Sequence, residues 1–270
     1  MYNIEVKDRL FHQRSKLTNT KDKNIDHCSF ERLLNVRFLR ETGRNATFYD
    51  KESKMNFYDP RALASIYEIE TVDFFVNASR RLDKAAEFIR RINYKYDWIQ
   101  IKVNEEGEIK SIVNKEELKE RWPRLRASIL KDYKGDVIEH ALSKIDKQFG
   151  TEDQINSALS QYMYFGLIFP RIPEKHTDNW ENNRFVEFSE YEGETFEEKV
   201  LFLKEDGERR IYEITGKALP ESKTKINEYK GHLIIMKNDI FPEEIELNIE
   251  FVRDNIVNQW NFELLCYNNK

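Results

Sequence analysis

From Arg184 to Tyr267 the chain repeats one local pattern. The segments "RFVEFS", "KVLFLK", "RRIYEITG", "GHLIIMK", "IELNIEF" and "QWNFELLCY" are rich in β-branched and aromatic residues, and polar or glycine-bearing stretches separate them. Successive short strands of this kind imply a mostly antiparallel arrangement. Such a run can close only as an antiparallel sheet, a sandwich or a part-barrel.

The first 78 residues carry a less regular version of the same signal. "MYNIEV" sets Tyr2, Ile4 and Val6 on one face, and "FERLLNVRFL", "ATFYD" and "MNFYD" read as further strands. "YEIETVDFFV" fits a strand or a short helix. A helix capped by Ser79 follows, with Leu82, Ala85, Ala86, Ile89 and Ile92 at helical spacing. Trp98 to Val103 and Ile109 to Val113 then form the arms of a hairpin.

The middle of the chain changes period. After Asn114, with Glu117 three residues on, Leu118, Trp122, Leu125, Ile129 and Tyr133 recur every three to four residues. Pro123 is expected to kink that helix. Gly135-Asp136 opens a second helix, and Thr151 with Gln154 opens a third. "YMYFGLIF" (162–169) is expected to leave that helix, cross Gly166 and become extended.

The expected fold class is therefore α+β: two antiparallel β-rich lobes, each a sandwich or part-barrel, flanking a central helical hairpin array. The boundaries fall at 1–113, 114–165 and 166–270. Apolar residues make up 40% of the 270 and aromatics 13%, enough for a sizeable core, while nine glycines and six prolines leave little for long linkers. The turns "VNEEGEIKSIVN" and "LKEDGERRIYEIT" resemble each other, a weak sign that the lobes arose by duplication.

The hairpin tip is the best catalytic candidate by composition, and geometry removes it. Asp97 with Glu108-Ile109-Lys110 imitates a D…E-x-K nuclease pattern, in which both carboxylates must reach one cation. On a hairpin turning at 104–107, Asp97 lies at the far end of one arm, on the order of 20 Å from Glu108. An EF-hand fails too, because glycine is misplaced and the flanks are strands. Gly107 reads instead as a positive-φ turn residue.

Other chemistry is equally sparse. His27 and Cys28 are adjacent and so point to opposite faces of a strand, and His12, His140, His176 and His232 have no ligand spacing. No P-loop, dinucleotide fingerprint or nucleophile elbow occurs. No catalytic residue, metal ligand or cofactor is assigned. The basic helix after Ser79, with Tyr94, Tyr96 and Trp98 nearby, lacks a nucleic-acid-binding signature, and the acidic half of the chain argues against general nucleic-acid binding.

Function is accordingly expected to lie in surfaces. Residues 181–270 hold 20 acids and 12 bases, against 29 and 32 in residues 1–180, so the acidic C-terminal part suits a basic protein partner. An aromatic contact set is drawn from Tyr162, Tyr164, Phe165, Phe169, Trp180 and Trp260, with burial in the core as the competing account. The expectation is a non-catalytic protein-binding protein: an accessory or adaptor subunit, or an immunity-type neutraliser of a toxin. The alternatives are a carrier of an apolar ligand in a β cavity and a hydrolase with a dispersed site. With no apolar leader at "MYNIEVKDRL", no apolar run of about 20 residues and only Cys28 and Cys266, a cytoplasmic setting without a membrane span is expected.

Overall fold

In a computed structural model, residues 30–58, 65–78, 84–105, 107–161, 163–173, 177–187, 195–237, 239 and 241–268 are described. Among the described residues, eleven strands form one antiparallel sheet. They are β1 (Phe30–Thr42), β2 (Asn45–Tyr58), β3 (Ser65–Ala78), β4 (Trp98–Val103), β5 (Ile109–Ile112), β6 (Glu181–Glu187), β7 (Thr195–Asp206), β8 (Arg209–Ala218), β9 (Lys225–Met236), β10 (Pro242–Arg253) and β11 (Ile256–Asn268). Their order is β5-β4-β3-β2-β1-β11-β10-β9-β8-β7-β6. Two separate β lobes were expected, and a single sheet is found. The joint is β1, which pairs with β11 from Arg32↔Asn268 to Thr42↔Asn258 and fuses the two meanders.

Each C-terminal strand lies where its alternation placed it. Tight turns join several of them: Asp254 and Asn255 both have positive φ between Arg253 and Ile256, as a two-residue hairpin demands, and Gly207 does the same between β7 and β8. In the N-terminal half, "ATFYD" and the first four residues of "MNFYD" are parts of one strand, β2. "YEIETVDFFV" lies in a strand, β3, whose pairing with β2 shifts register beside Ser53. "MYNIEV", Ser79 and the His27-Cys28 pair lie outside the described residues.

The helices are α1 (Lys84–Asn93), α2 (Lys115–Asp132), α3 (Asp136–Gln148), α4 (Glu152–Gln161) and α5 (Met163–Ile168). The expected stripe of α2 is buried at Leu118, Trp122, Leu125 and Ile129, and Pro123 lies within the span of that helix. Thr151 and Gln154 complete their capping box: Thr151 N donates to Gln154 Oε1 at 3.0 Å, and Gln154 N donates to Thr151 Oγ1 at 3.2 Å. Asn114 behaves differently from expectation. Its Oδ1 accepts from Gln100 N at 2.9 Å, so it staples α2 to the hairpin instead of capping the helix backbone.

The hairpin tip is a turn. Asn104 Oδ1 accepts from Glu108 N, Gly107 has φ +72°, and Glu108 pairs with Lys110 while Asp97 pairs with Arg121. The two carboxylates of the imitation nuclease pattern are each committed to a different cation.

Helix α5 corrects the expected extended run. Tyr164 to Phe169 are all buried, and a helix apolar on every side must be enclosed. It touches β6 and β10, while Tyr164 bonds to Ser53 of β2. Helix α4 packs against both β5 and β6, the two edge strands, so the sheet curls until its edges face one helix. Asn156 of α4 donates to the Lys110 carbonyl on the β5 edge at 3.1 Å. One core runs through the enclosed space, from Leu34 and Met55 through Phe165 and Leu167 to Leu247 and Trp260. No helix among the described residues is long and apolar enough to cross a membrane.

Candidate functional site

Period-two alternation fixes which side chains enter the curled sheet. On β2 the inward set is Tyr49, Lys51, Ser53 and Met55; on β7 it is Phe196, Glu198, Val200 and Phe202. Both sets are apolar apart from a few polar or charged residues, and those residues organise two buried polar centres beside α5.

The first centre surrounds Lys51. Its Nζ lies 4.1 Å from the centroid of the Tyr164 ring, and the Tyr164 hydroxyl bonds to Ser53 Oγ at 2.8 Å. Because Lys51 and Ser53 are two apart on one face, a single tyrosine covers both. Lys95 enters from the 3-10 turn Tyr94–Tyr96, its Nζ 4.9 Å from the Tyr96 ring. Burial pushes the Lys51 ammonium down to about 7. Lys95 falls well below its ordinary value, through burial first and the charge of Lys51 second. Thr71, opposite Ser53 in the β2–β3 register, is buried with no hydrogen-bond partner at Oγ1.

The second centre is a buried ion pair between Arg184 of β6 and Glu198 of β7, whose side chains are 4% and 0% exposed. The Tyr229 hydroxyl of β9 bonds to Glu198 Oε2 at 2.8 Å, and Arg184 also donates to the Gly166 carbonyl of α5. Burial, then Glu198, raises the Tyr229 phenol well above its usual range. The arrangement satisfies its charges internally and locks α5 to three strands.

A third cluster closes one end of the sheet. Arg32 pairs with Asp239, and Arg210 donates to the Asp239 carbonyl at 2.7 Å and to the Pro173 carbonyl at 3.2 Å. Beneath it, Phe241 lies 4.6 Å from Tyr67 and 5.3 Å from Phe169 between ring centroids. Cys266 sits beside Arg32, yet burial still pushes its thiol up to about 11.

Four of the aromatic residues singled out from the sequence, Tyr164, Phe165, Phe169 and Trp260, are buried inside the sheet. Phe165 packs on Tyr96, Phe169 on Tyr67 and Phe241, and Trp260 among Phe38, Phe196 and Phe251. Trp180 packs edge-on against Tyr212 and is partly exposed. Tyr164 belongs to the Lys51 centre, and Tyr162 lies outside the described residues. Sequence reading missed Lys51, Lys95, Arg184 and Glu198. For Arg184 and Glu198 the signal was a lone charge in the apolar phase of a strand, for Lys51 the same signal was lost by splitting β2 in two, and Lys95, on the 3-10 turn Tyr94–Tyr96, carried no such signal. Among the described residues, no group of three or more His, Cys, Asp or Glu side chains is arranged to hold a metal ion.

Comparison with known proteins adds a coarse likeness. No protein-family model matches the chain, and no curated protein matches it. A lipovitellin structure, titled for its lipid–protein interactions, superposes with a TM-score of 0.43 at 8% identity. The match covers 89% of this chain and 25% of the lipovitellin chain, so this chain spans a quarter of the protein it resembles.

The outer face of the sheet has a distinct electrostatic character. Glu246 stands directly opposite Glu263, and Glu250 directly opposite Glu228. His232 lies 3.6 Å from Glu244 and 3.8 Å from Glu246. The register of β9, β10 and β11 thus gathers carboxylates on one exposed surface.

Proposed function

We propose that this protein is a non-catalytic binding protein that docks a basic protein partner on the outer face of β9, β10 and β11. The observation that carries this reading is the pair of like-charged cross-strand neighbours, Glu246 opposite Glu263 and Glu250 opposite Glu228. Like charges directly opposite destabilise a sheet. Here each is only partly offset: Arg37 reaches Glu263 at 4.0 Å, and Asn227 and Gln259 each donate to Glu250 at 2.8 Å. A partner carrying lysine or arginine at the matching spacing would remove the repulsion and gain steering from the acidic field.

In this reading the chain works in the cytoplasm as an accessory or adaptor subunit, or as a neutraliser of a basic toxin domain. The test is capture from native extract by wild type and by a Glu228→Lys, Glu246→Lys, Glu250→Lys variant at low and moderate salt. A stoichiometric partner held by the wild type, weakened by salt and lost by the variant supports the docking face. Capture that is indifferent to the charge reversal overturns it.

A further inference from the structure

Two adjoining rows cross the outer face of the sheet, one mostly of carboxylates and one mostly of aliphatic side chains. The register of β8, β9, β10 and β11 sets Glu213, His232, Glu246 and Glu263 in line. Two residues further along the strands, about 7 Å away, the line is Ile211, Ile234, Glu244 and Leu265. Ile211, Ile234 and Leu265 face outward because their strand neighbours Tyr212, Leu233, Ile235 and Leu264 are wholly buried. The aliphatic line is extended at both ends. Leu203, at the β7 bulge, is 51% exposed, and Tyr267, one outward position beyond Leu265, is 52% exposed. A surface apolar along one line and negative along the next is complementary to a segment that is both cationic and apolar.

The chain itself carries such a segment. Residues 7–23 hold six bases and two acids, and the bases fall in three pairs seven residues apart: Lys7 and Arg9, Arg14 and Lys16, Lys21 and Lys23. Leu10, Phe11 and Leu17 stand between the pairs, and Tyr2, Ile4 and Val6 come before them. These residues lie outside the described ones, but they lead into β1, whose Leu33 is directly opposite Tyr267. The residues from 24 to 29 can span about 20 Å. Strand β8 is four strands from β1, about 19 Å across the sheet. Both rows are therefore within reach.

We propose that residues 2–23 dock in cis on the outer face of β8–β11, with their paired cations on Glu213, Glu246 and Glu263 and their apolar side chains over Ile211, Ile234 and Leu265. Two other occupants fit less well. A second copy using the same face would set these carboxylates against their own kind, as a two-fold contact requires. A separate protein meets the face at its own concentration, whereas a tethered segment acts at an effective concentration on the order of millimolar. The placement needs no partner. A basic partner that binds at Glu246 and Glu263 must first displace the segment, so the segment sets the affinity that such a partner has to exceed.

The experiment treats the full chain, as an equal mixture of 15N-labelled and unlabelled protein, with a water-soluble carbodiimide. This reagent joins a lysine amine to a carboxylate only where the two are in contact, and mass spectrometry reads the joined peptides. The expected products link Lys7, Lys16, Lys21 or Lys23 to Glu213, Glu244, Glu246 or Glu263, with both peptides carrying the same label. Their yield should fall roughly fivefold in about 0.5 M sodium chloride. It should also fall in a Leu203→Ser, Tyr267→Ser variant, whose changes are confined to exposed side chains. Equal linkage to Glu116, Glu120 and Glu139, exposed on α2 and α3, overturns the proposal. So do a lack of linkage to the outer face, a yield that neither salt nor the serine changes lower, and mixed-label products, which would assign the face to a second copy. Partner capture is a separate readout, so either reading can fail while the other holds.

Discussion

Lys51 Nζ lies 4.1 Å above the ring of Tyr164, a cation held against an aromatic face inside the sheet. The ring offsets part of the charge, since a desolvated cation–π contact contributes about 2 kcal/mol. That is less than the burial cost that moves the amine from 10.5 to about 7. The imbalance sets a pH dependence whose sign is fixed. Between about 7 and 10 the unfolded chain keeps this proton and the folded chain releases it, so folding stability rises with pH. Urea unfolding of Lys51→Met should show a flatter profile over that window. Its gain over wild type should be on the order of a few kcal/mol at pH 7, shrinking toward pH 10. Equal pH slopes for the two proteins would contradict the assignment.

The Arg184–Glu198 pair predicts strong non-additivity. Glu198→Leu leaves a guanidinium buried without its carboxylate and removes the acceptor of Tyr229, so it should cost about 3–5 kcal/mol. Arg184→Leu with Glu198→Leu removes both charges and should cost less than the single change at Glu198. A double-mutant cycle in denaturant measures the difference, and additive losses would mean that the pair is not coupled.

Gly231 tests the packing of β9 on β10. A Cβ there would lie 2.3 Å from the Glu246 carbonyl oxygen and 2.9 Å from the Leu247 Cα, both backbone atoms that cannot rotate aside. Gly231→Ala should destabilise by about 1–3 kcal/mol or more. Thermal unfolding unchanged from wild type would show that the two strands are farther apart than this.

Cys266 should be a slow thiol. Burial outweighs the adjacent Arg32, and a thiol at about 11 is a thiolate in only about one molecule in a thousand at pH 8. Alkylation followed by peptide mass spectrometry should be much slower for native protein than in urea. Similar rates in the two states would place Cys266 outside this environment.

What the sequence conveyed followed how local each signal was. The C-terminal strands, the capping box at Thr151 and the α2 stripe depend on residues within a few positions of one another, and all are where alternation and spacing put them. The union of the two meanders depends on β1 meeting β11, a pairing between residues more than 200 positions apart that neither strand announces. The enclosure of α5 was hidden for a related reason. "MYFGLI" is too short to display helical periodicity, and its apolar character fits a strand or a helix equally until the sheet around it is known. Lys51 was missed because a charged residue in an alternating strand is ordinarily assigned to solvent, and Lys95 because a three-residue 3-10 turn has no alternation for a charge to interrupt.

The β1–β11 seam also has a kinetic meaning. Neighbouring strands elsewhere in the sheet mostly close through short turns, but this pairing joins the first described strand to the last and must pay the loop-closure entropy of nearly the whole chain. Each meander can assemble by itself with low contact order, while the seam is the slow, non-local step that raises the contact order of the whole. A chain cut between α5 and β6 would leave that step bimolecular. Its two fragments would then have to find each other along β1 and β11, reassembling at a rate set by their concentration.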